Sequence, residues 1–434
     1  MLFKQLAQIT SFMKYLHRIA DTILARRLES KGAVLIEGPK WCGKTSTARQ
    51  ICGSQLNLGD LNTLVESQNV AQINPSILLQ GTTPRLIDEW QEIPSLWDAV
   101  RNEVDNRQAM GQFILTGSAV PADRSKILHS GTGRFSRIVM RTMSLWESGE
   151  STGEISLSRL FDGDTTMTGV NNLTIDNVAT AICRGGWPLS LLLPEDAAMR
   201  QAIDYYDAVV NFDIGRVDSV KRSPLTAAAI MRSYARHIGL QSALTTIRDD
   251  CNNGGDAPDI ATVTTYLNAL KQIFVIEEVP AWNPNLRSKT AIRTTDTRYF
   301  TDPSIGCAAM GIGPGDLVKD LKAMGMMFEN LCVRDLRVYA ETIDGHLFHY
   351  RDANGLECDS VVHLRNGKYA LIEIKLGGER LIEDGVKTLT KLMSKINTDS
   401  MNAPSFAMVL TAVGKYAYRR EDGIWIVPVG CLKN

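Results

Sequence analysis

Gly38-Pro39-Lys40-Trp41-Cys42-Gly43-Lys44-Thr45 fits the spacing G-x-x-x-x-G-K-[ST]. The apolar run Ala33-Val34-Leu35-Ile36 stands before it, and Ser46-Thr47-Ala48 open a helical pattern after it. Strand, glycine-rich turn and helix is the order that a phosphate-binding loop requires. The glycines let successive backbone N–H groups face one anion, and the helix that follows adds the positive end of its dipole. In such a loop Lys44 neutralises β- and γ-phosphate oxygens and Thr45 ligates Mg. Gly38, Pro39, Lys40, Trp41, Cys42, Gly43 and Ser46 complete the expected ATP-binding cradle, with bulky Trp41 pointing away from the phosphates.

Outward from the loop, Pro84-Arg85-Leu86-Ile87-Asp88-Glu89 reads as a strand ending in adjacent carboxylates. Asp88 is placed to hold the magnesium shell and Glu89 to orient or deprotonate the attacking water. A third strand, Phe113 to Leu115, ends in Thr116-Gly117-Ser118. There a hydroxyl, Thr116 in the first instance, either senses the γ-phosphate or caps the next turn. Arg134 follows the glycine pair of His129-Ser130-Gly131-Thr132-Gly133 and either lends charge to the transition state or forms a salt bridge within the fold. The guanine-reading sequence Asn-Lys-x-Asp is absent, which favours ATP over GTP.

Composition sets the frame for this core. With 434 residues and roughly 150 residues per domain, about three domains are expected. Hydrophobic residues at 44% and charged residues at 22% exclude wholesale disorder and rod-like folds. Lys plus Arg (47) nearly cancels Asp plus Glu (48), so any nucleic-acid contact must be a local patch. The eight cysteines lie at least ten positions apart, which leaves no Cys-x-x-Cys pair and suggests free thiols. Polar residues Lys4, Gln5, Gln8 and Lys14 interrupt the first apolar stretch, and the longest candidates elsewhere, such as Leu189 to Leu193, are short. A cytoplasmic chain without signal peptide or membrane span is the expectation.

Along the chain, residues 1–30 read as helical, and 33–141 alternate apolar runs with helices, as in a mainly parallel sheet. The Ser-, Thr-, Gly- and Asp-rich stretch 144–174 marks a border, followed by a helical region over 176–217. Three helix patterns (225–238, 243–250 and 260–274) and a strand pair near 291–300 suggest a winged helix. Then come a long helix from about Gly315 to Asp335, several strands, and an amphipathic helix carrying Ile382, Val386, Leu389, Met393 and Ile396. The expected division is 1–175, a P-loop domain; 176–222, a helical connection; 223–312, winged-helix-like; and 313–434, a further α/β domain.

The phosphate loop, Leu86-Ile87-Asp88-Glu89-Trp90-Gln91, Leu115-Thr116-Gly117-Ser118 and Gly185-Gly186-Trp187-Pro188 together resemble a family of prokaryotic AAA-like P-loop ATPases. The resemblance runs along almost the whole chain. It implies ATP binding, a winged-helix-like middle region, and a carboxy-terminal domain of unknown function whose end resembles restriction-endonuclease folds. Asp359 and Glu373-Ile374-Lys375 look like the D…ExK core of such nucleases, with Glu329 as an extra ligand. Glu-x-Lys alone arises about once or twice by chance in a chain of this size. Register decides its meaning. A three-residue loop Arg365-Asn366-Gly367 sets Asp359 opposite Glu373, with Lys375 on the same face, whereas a two-residue Asn366-Gly367 turn sets Asp359 against Ile374 and breaks the site. Two carboxylates and the Ile374 carbonyl suit Mg, and Lys375 suits polarising a water. The alternative is an inactive nuclease-like scaffold.

His346 and His349 fall on opposite faces of a strand, which argues against zinc. Arg232, Arg236, Arg248, Lys271, Arg287, Lys289, Arg293 and Arg298 form either a phosphate-binding patch or a solvated charged face. The leading expectation is an ATP-hydrolysing AAA-like protein whose nucleotide state repositions the later domains, with DNA as a target. Its rival is a nucleotide-dependent switch that holds a protein partner or another copy of itself. A small-molecule P-loop kinase would need an acceptor pocket and a lid, neither of which the sequence displays.

Overall fold

The computed structural model describes residues 15–118, 130–218, 220–252, 258–283, 295–398 and 401–434. Readings that fall on residues 1–14, His129, Arg287, Lys289 and 291–294 lie outside the described residues.

The first layer system is α1 (Ile19–Ser30), β1 (Ala33–Glu37), α2 (Lys44–Arg49), β2 (Ser54–Asn57), α3 (Leu61–Ile73), β3 (Arg85–Asp88), α4 (Ser95–Arg107), β4 (Phe113–Gly117) and β5 (Phe135–Val139). The five strands lie in the order β2-β3-β4-β1-β5, all parallel. Helices cover both faces, so β1 and β4 are continuous apolar runs with no polar side. Alternation still sorts their side chains: Val34, Ile36, Leu86 and Ile114 join one core, Ala33, Leu35, Ile87, Phe113 and Leu115 the other. Because the strands run in one direction, Glu37, Asp88 and Gly117 end at the same edge, where the loops gather.

Strands β6 (Ile155–Ser156) and β7 (Gly169–Val170) come next, then α5 (Ile175–Arg184), α6 (Glu195–Asn211) and a 3-10 turn, Asp213–Arg216. Three helices follow, α7 (Pro224–Arg236), α8 (Leu244–Asp250) and α9 (Ile260–Gln272). Beyond them β8 (Ile276–Val279) and β9 (Thr297–Phe300) pair antiparallel. After α10 (Pro303–Met310), the long helix expected over 315–335 is two pieces. A short helix, Pro314–Lys319, stops at Asp320, whose carboxylate caps the N–H groups of Lys322 and Ala323 and so starts α11 (Leu321–Glu341).

The chain closes with β10 (Gly345–Arg351), β11 (Glu357–Leu364), β12 (Tyr369–Lys375), α12 (Glu379–Lys395), β13 (Phe406–Thr411), β14 (Tyr416–Arg419), β15 (Trp425–Pro428) and β16 (Leu432–Lys433). A mixed seven-stranded sheet runs β10-β11-β12-β13-β15-β14-β7, and β6 pairs with β16. Here the sequence reading needs correction. Residues 155–170, grouped there with the amino-terminal domain, lend both their strands to the carboxy-terminal part. Two-residue strands carry no periodicity, and their partners lie more than 240 positions away.

One buried ion network joins the parts. Arg334 on α11, 3% exposed, contacts Asp302 at 3.0 Å and Asp335 at 2.7 Å. Asp302 also accepts from Thr142 Oγ1 and from the Gly186 N–H, and Asp335 accepts from the Leu145 N–H. Burial raises the Asp335 carboxyl to about 6, and the opposing charge of Arg334 fails to reverse that.

Candidate functional site

The loop between β1 and α2 adopts backbone that its glycines make available. Gly38 has φ 149° and Gly43 φ 102°, and a Cβ on Gly38 would meet the Met140 carbonyl oxygen at 2.0 Å. Trp41 takes φ 66° without that freedom, and its ring is half exposed against Tyr205, with centroids 5.7 Å apart. The loop is held from behind by Arg18. Its guanidinium is buried, donates to the Cys42 and Arg141 carbonyls at 2.7 and 2.8 Å, and pairs with Glu147 at 3.0 Å. Inside the loop the Lys44 ammonium donates to the carbonyls of Gly38 and Pro39 at 2.9 and 2.8 Å.

The carboxylates expected to serve the loop are at its edge. Thr45 Oγ1 donates to Asp88 Oδ1 at 2.7 Å, and Thr116 Oγ1 donates to the same oxygen at 2.5 Å. This bond fixes the orientation of Asp88. Register makes this contact, since Asp88 and Thr116 are cross-strand partners in β3 and β4. Glu89, left-handed at φ 57°, turns away from its neighbour and accepts from Ser118 Oγ at 3.1 Å and from Gln91 Nε2. Gln91 is a site residue that the sequence reading left without a role. The tight turn after Asp88 brings a residue two positions on back to Glu89, and only the left-handed Glu89 backbone reveals that.

Arg134 shows the salt bridge, the second of the two roles expected of it. Phe135, next in sequence, is paired with Ala33 at the start of β1, while the phosphate loop leaves the far end of that strand. A five-residue parallel strand separates them, and the guanidinium is held at Asp105 at 2.8 Å. Arg134 is not a finger for the phosphates bound by its own chain.

The oxygen donors Thr45 Oγ1 and Asp88 Oδ1, already converged, fit a hard divalent cation such as Mg. The second cluster is built differently. Leu364 and Lys368 bond across the hairpin, and His363 faces Tyr369, Val362 Ala370, Val361 Leu371 and Ser360 Ile372. That register is the one the three-residue loop demands, and it carries Asp359 opposite Glu373. The Ile374 N–H and the Lys375 ammonium both reach Asp359 Oδ2, at 2.7 and 3.0 Å, and Lys375 also lies 2.6 Å from Glu373. Glu329, on α11, accepts from the Tyr299 hydroxyl at 2.6 Å.

Burial, reinforced by the Asp359 charge, raises Glu329 and Glu373 to about 8 each. Burial also works to lower the Lys375 ammonium, but Asp359 and Glu373 outweigh it and hold the group above its usual value. Among the described residues no three His, Cys, Asp or Glu are placed to hold a metal ion, and the ammonium stands between the two carboxylates instead.

His346 is exposed and His349 buried, on the opposite faces expected of them. Among the described residues of the basic set, Arg298 is buried against the Ser242 carbonyl, Lys271 pairs with Glu278, and Arg248 with Asp249.

Fold and site together define an AAA-like P-loop core followed by a carboxy-terminal domain of unknown function. Residues 30–148 match the AAA domain family, 175–316 the domain of unknown function DUF8612, and 324–432 the domain of unknown function DUF4143. Over 368 residues the chain is 24% identical to an uncharacterized protein of Mycobacterium tuberculosis (strain ATCC 25618 / H37Rv), and equally to one of Mycobacterium bovis (strain ATCC BAA-935 / AF2122/97). Each match covers 82% of this chain and 73% of the relative. Among solved structures, the Walker-type ATPase PABY2304 of Pyrococcus abyssi is similar at 14% identity and a TM-score of 0.43, over 68% of this chain and 96% of that one. The replication initiator DnaA bound to AMPPCP and single-stranded DNA is similar at 14% identity and a TM-score of 0.28, over 61% and 91%. Likeness this loose adds nothing about ligands. Among the described residues no helix is long and apolar enough to cross a membrane.

Proposed function

We propose that this chain binds ATP with Mg at Gly38–Thr45 and hydrolyses it to ADP and phosphate. The observation that carries the reading is the convergence of Thr45 and Thr116 on one oxygen of Asp88 beside the loop. Thr45 and Asp88 would hold the Mg, which when bound neutralises charge on the β- and γ-phosphates. Lys44 exchanges its two carbonyl partners for phosphate oxygens, and the loop N–H groups hold the anion. Glu89, steadied by Ser118 and Gln91, orients water in line with the γ-phosphorus and takes up its proton. Calorimetric titration with ATP tests this: Lys44→Ala is expected to abolish binding, and unchanged affinity refutes the role. Glu89→Gln is expected to keep ATP bound but to release no phosphate; normal phosphate release removes Glu89 from the mechanism.

The regions beyond the core answer to this site. Three helices and the β8–β9 pair support a winged-helix-like middle, and the antiparallel β10–β12 followed by parallel β13 support a nuclease-like carboxy-terminal fold. A second reading is a nucleotide-dependent interaction switch with a catalytically inactive scaffold, in which the Lys375 ammonium between Asp359 and Glu373 is a structural ion cluster. Plasmid DNA incubated with protein, Mg and ATP separates the two: cleavage abolished by Lys375→Ala restores the nuclease, and intact plasmid supports the switch.

A further inference from the structure

The cavity beside the P-loop, about 1280 Å³, is walled on its far side by Tyr205, Asp213 and Arg216, residues of α6 and the 3-10 turn that follows it. Two neighbouring loop residues already touch that wall. The Lys40 ammonium, half exposed, pairs with Asp213 at 2.7 Å, and the Trp41 ring meets Tyr205 edge-on. In a 3-10 turn, side chains three positions apart stack on one side, so Asp213 and Arg216 are presented together. Arg216 is exposed, lines the cavity, and has no acidic partner among the described residues.

A nucleotide polyphosphate brings several negative charges to the loop. Lys40 is then claimed by two anions at once, and the Asp213 carboxylate beside a phosphate is a like-charge contact that disfavours both. Arg216, on the same side of the same turn, has the opposite sign. We propose that the turn Asp213–Arg216 is an electrostatic gate on the nucleotide site. With the site empty, Asp213 serves as the counter-ion of Lys40; phosphate binding exchanges Asp213 for Arg216 and shifts the end of α6. The inference rests on the nucleotide reading given above and adds a regulatory contact to it.

The full-length chain, titrated calorimetrically with ADP and with a non-hydrolysable ATP analogue in the presence of Mg, tests the gate. For an ion pair whose ammonium is half exposed, Asp213→Asn is expected to tighten binding about three- to fivefold. That gain is expected to vanish in a Lys40→Ala background, and Arg216→Ala is expected to weaken binding about tenfold or more. Hydrogen exchange over residues 205–216 is expected to change when nucleotide binds the wild type, and to change much less in Asp213→Asn. Absence of any binding by the wild type overturns the nucleotide reading together with the gate. Binding that Asp213→Asn leaves unchanged or weakens, that Arg216→Ala leaves unchanged, or that gains equally from Asp213→Asn without Lys40, overturns the gate alone.

Discussion

Thr116 and His349 show how much a single side chain owes to its surroundings. Thr116 is completely buried, and its hydroxyl spends its proton on Asp88. Thr116→Val keeps the shape and removes the donor, so Asp88 is expected to lose its fixed orientation. ATP turnover should fall about tenfold while ATP affinity changes little, a split that steady-state kinetics beside calorimetry reads directly. His349 is 3% exposed, with Nδ1 bonded to Gln241 at 3.0 Å. Burial lowers its pKa to about 4. The unfolded chain, titrating near the ordinary histidine value of about 6.5, binds the proton first. The folded state therefore keeps its full stability above about pH 6.5 and loses it as pH falls toward 4, by about 3 kcal/mol at most from this group. His349→Gln should flatten that acid limb; thermal unfolding measured from pH 7.5 to 4.5 checks it, and an unchanged slope discards the assignment.

At the scale of elements, the phosphate loop was the most legible part of the chain. Its spacing states the chemistry and its glycines state the backbone, because positive φ at two fixed positions leaves few other residue choices. Gly38→Ala would drive a methyl group into the Met140 carbonyl. It is expected to weaken nucleotide binding more than tenfold and to lower stability by about 2 kcal/mol, both readable from one preparation by calorimetry and thermal melting. The β11–β12 hairpin was legible only as two alternatives, since a turn of two residues or of three sends a different side chain to face Glu373. Strands β6, β7 and β16 left no trace in the sequence. Two residues cannot display a period, and their partners lie far along the chain.

The whole molecule is held together by interactions that no local pattern announces. Arg334 binds Asp302 and Asp335, and through them reaches Thr142, Leu145 and Gly186. Arg334→Met leaves two buried carboxylates without a counter-ion, a loss expected to cost about 3–5 kcal/mol. Thermal unfolding should show it as a large drop in melting temperature. Reversal of that drop by adding Asp302→Asn and Asp335→Asn would tie it to the uncompensated charges; failure to recover any stability would assign it to packing.

The amino acids alone determined the P-loop, the carboxylate-ended strand beside it and the alternation of strand and helix, because each is a short-range rule acting within about ten residues. What only the tertiary structure decided was which oxygen the hydroxyls share, which end of the sheet Arg134 occupies, and where the Lys375 ammonium rests. It also decided which sheet receives residues 155–170. Those outcomes depend on strand order and register, and these are fixed by burial of side chains far apart in sequence.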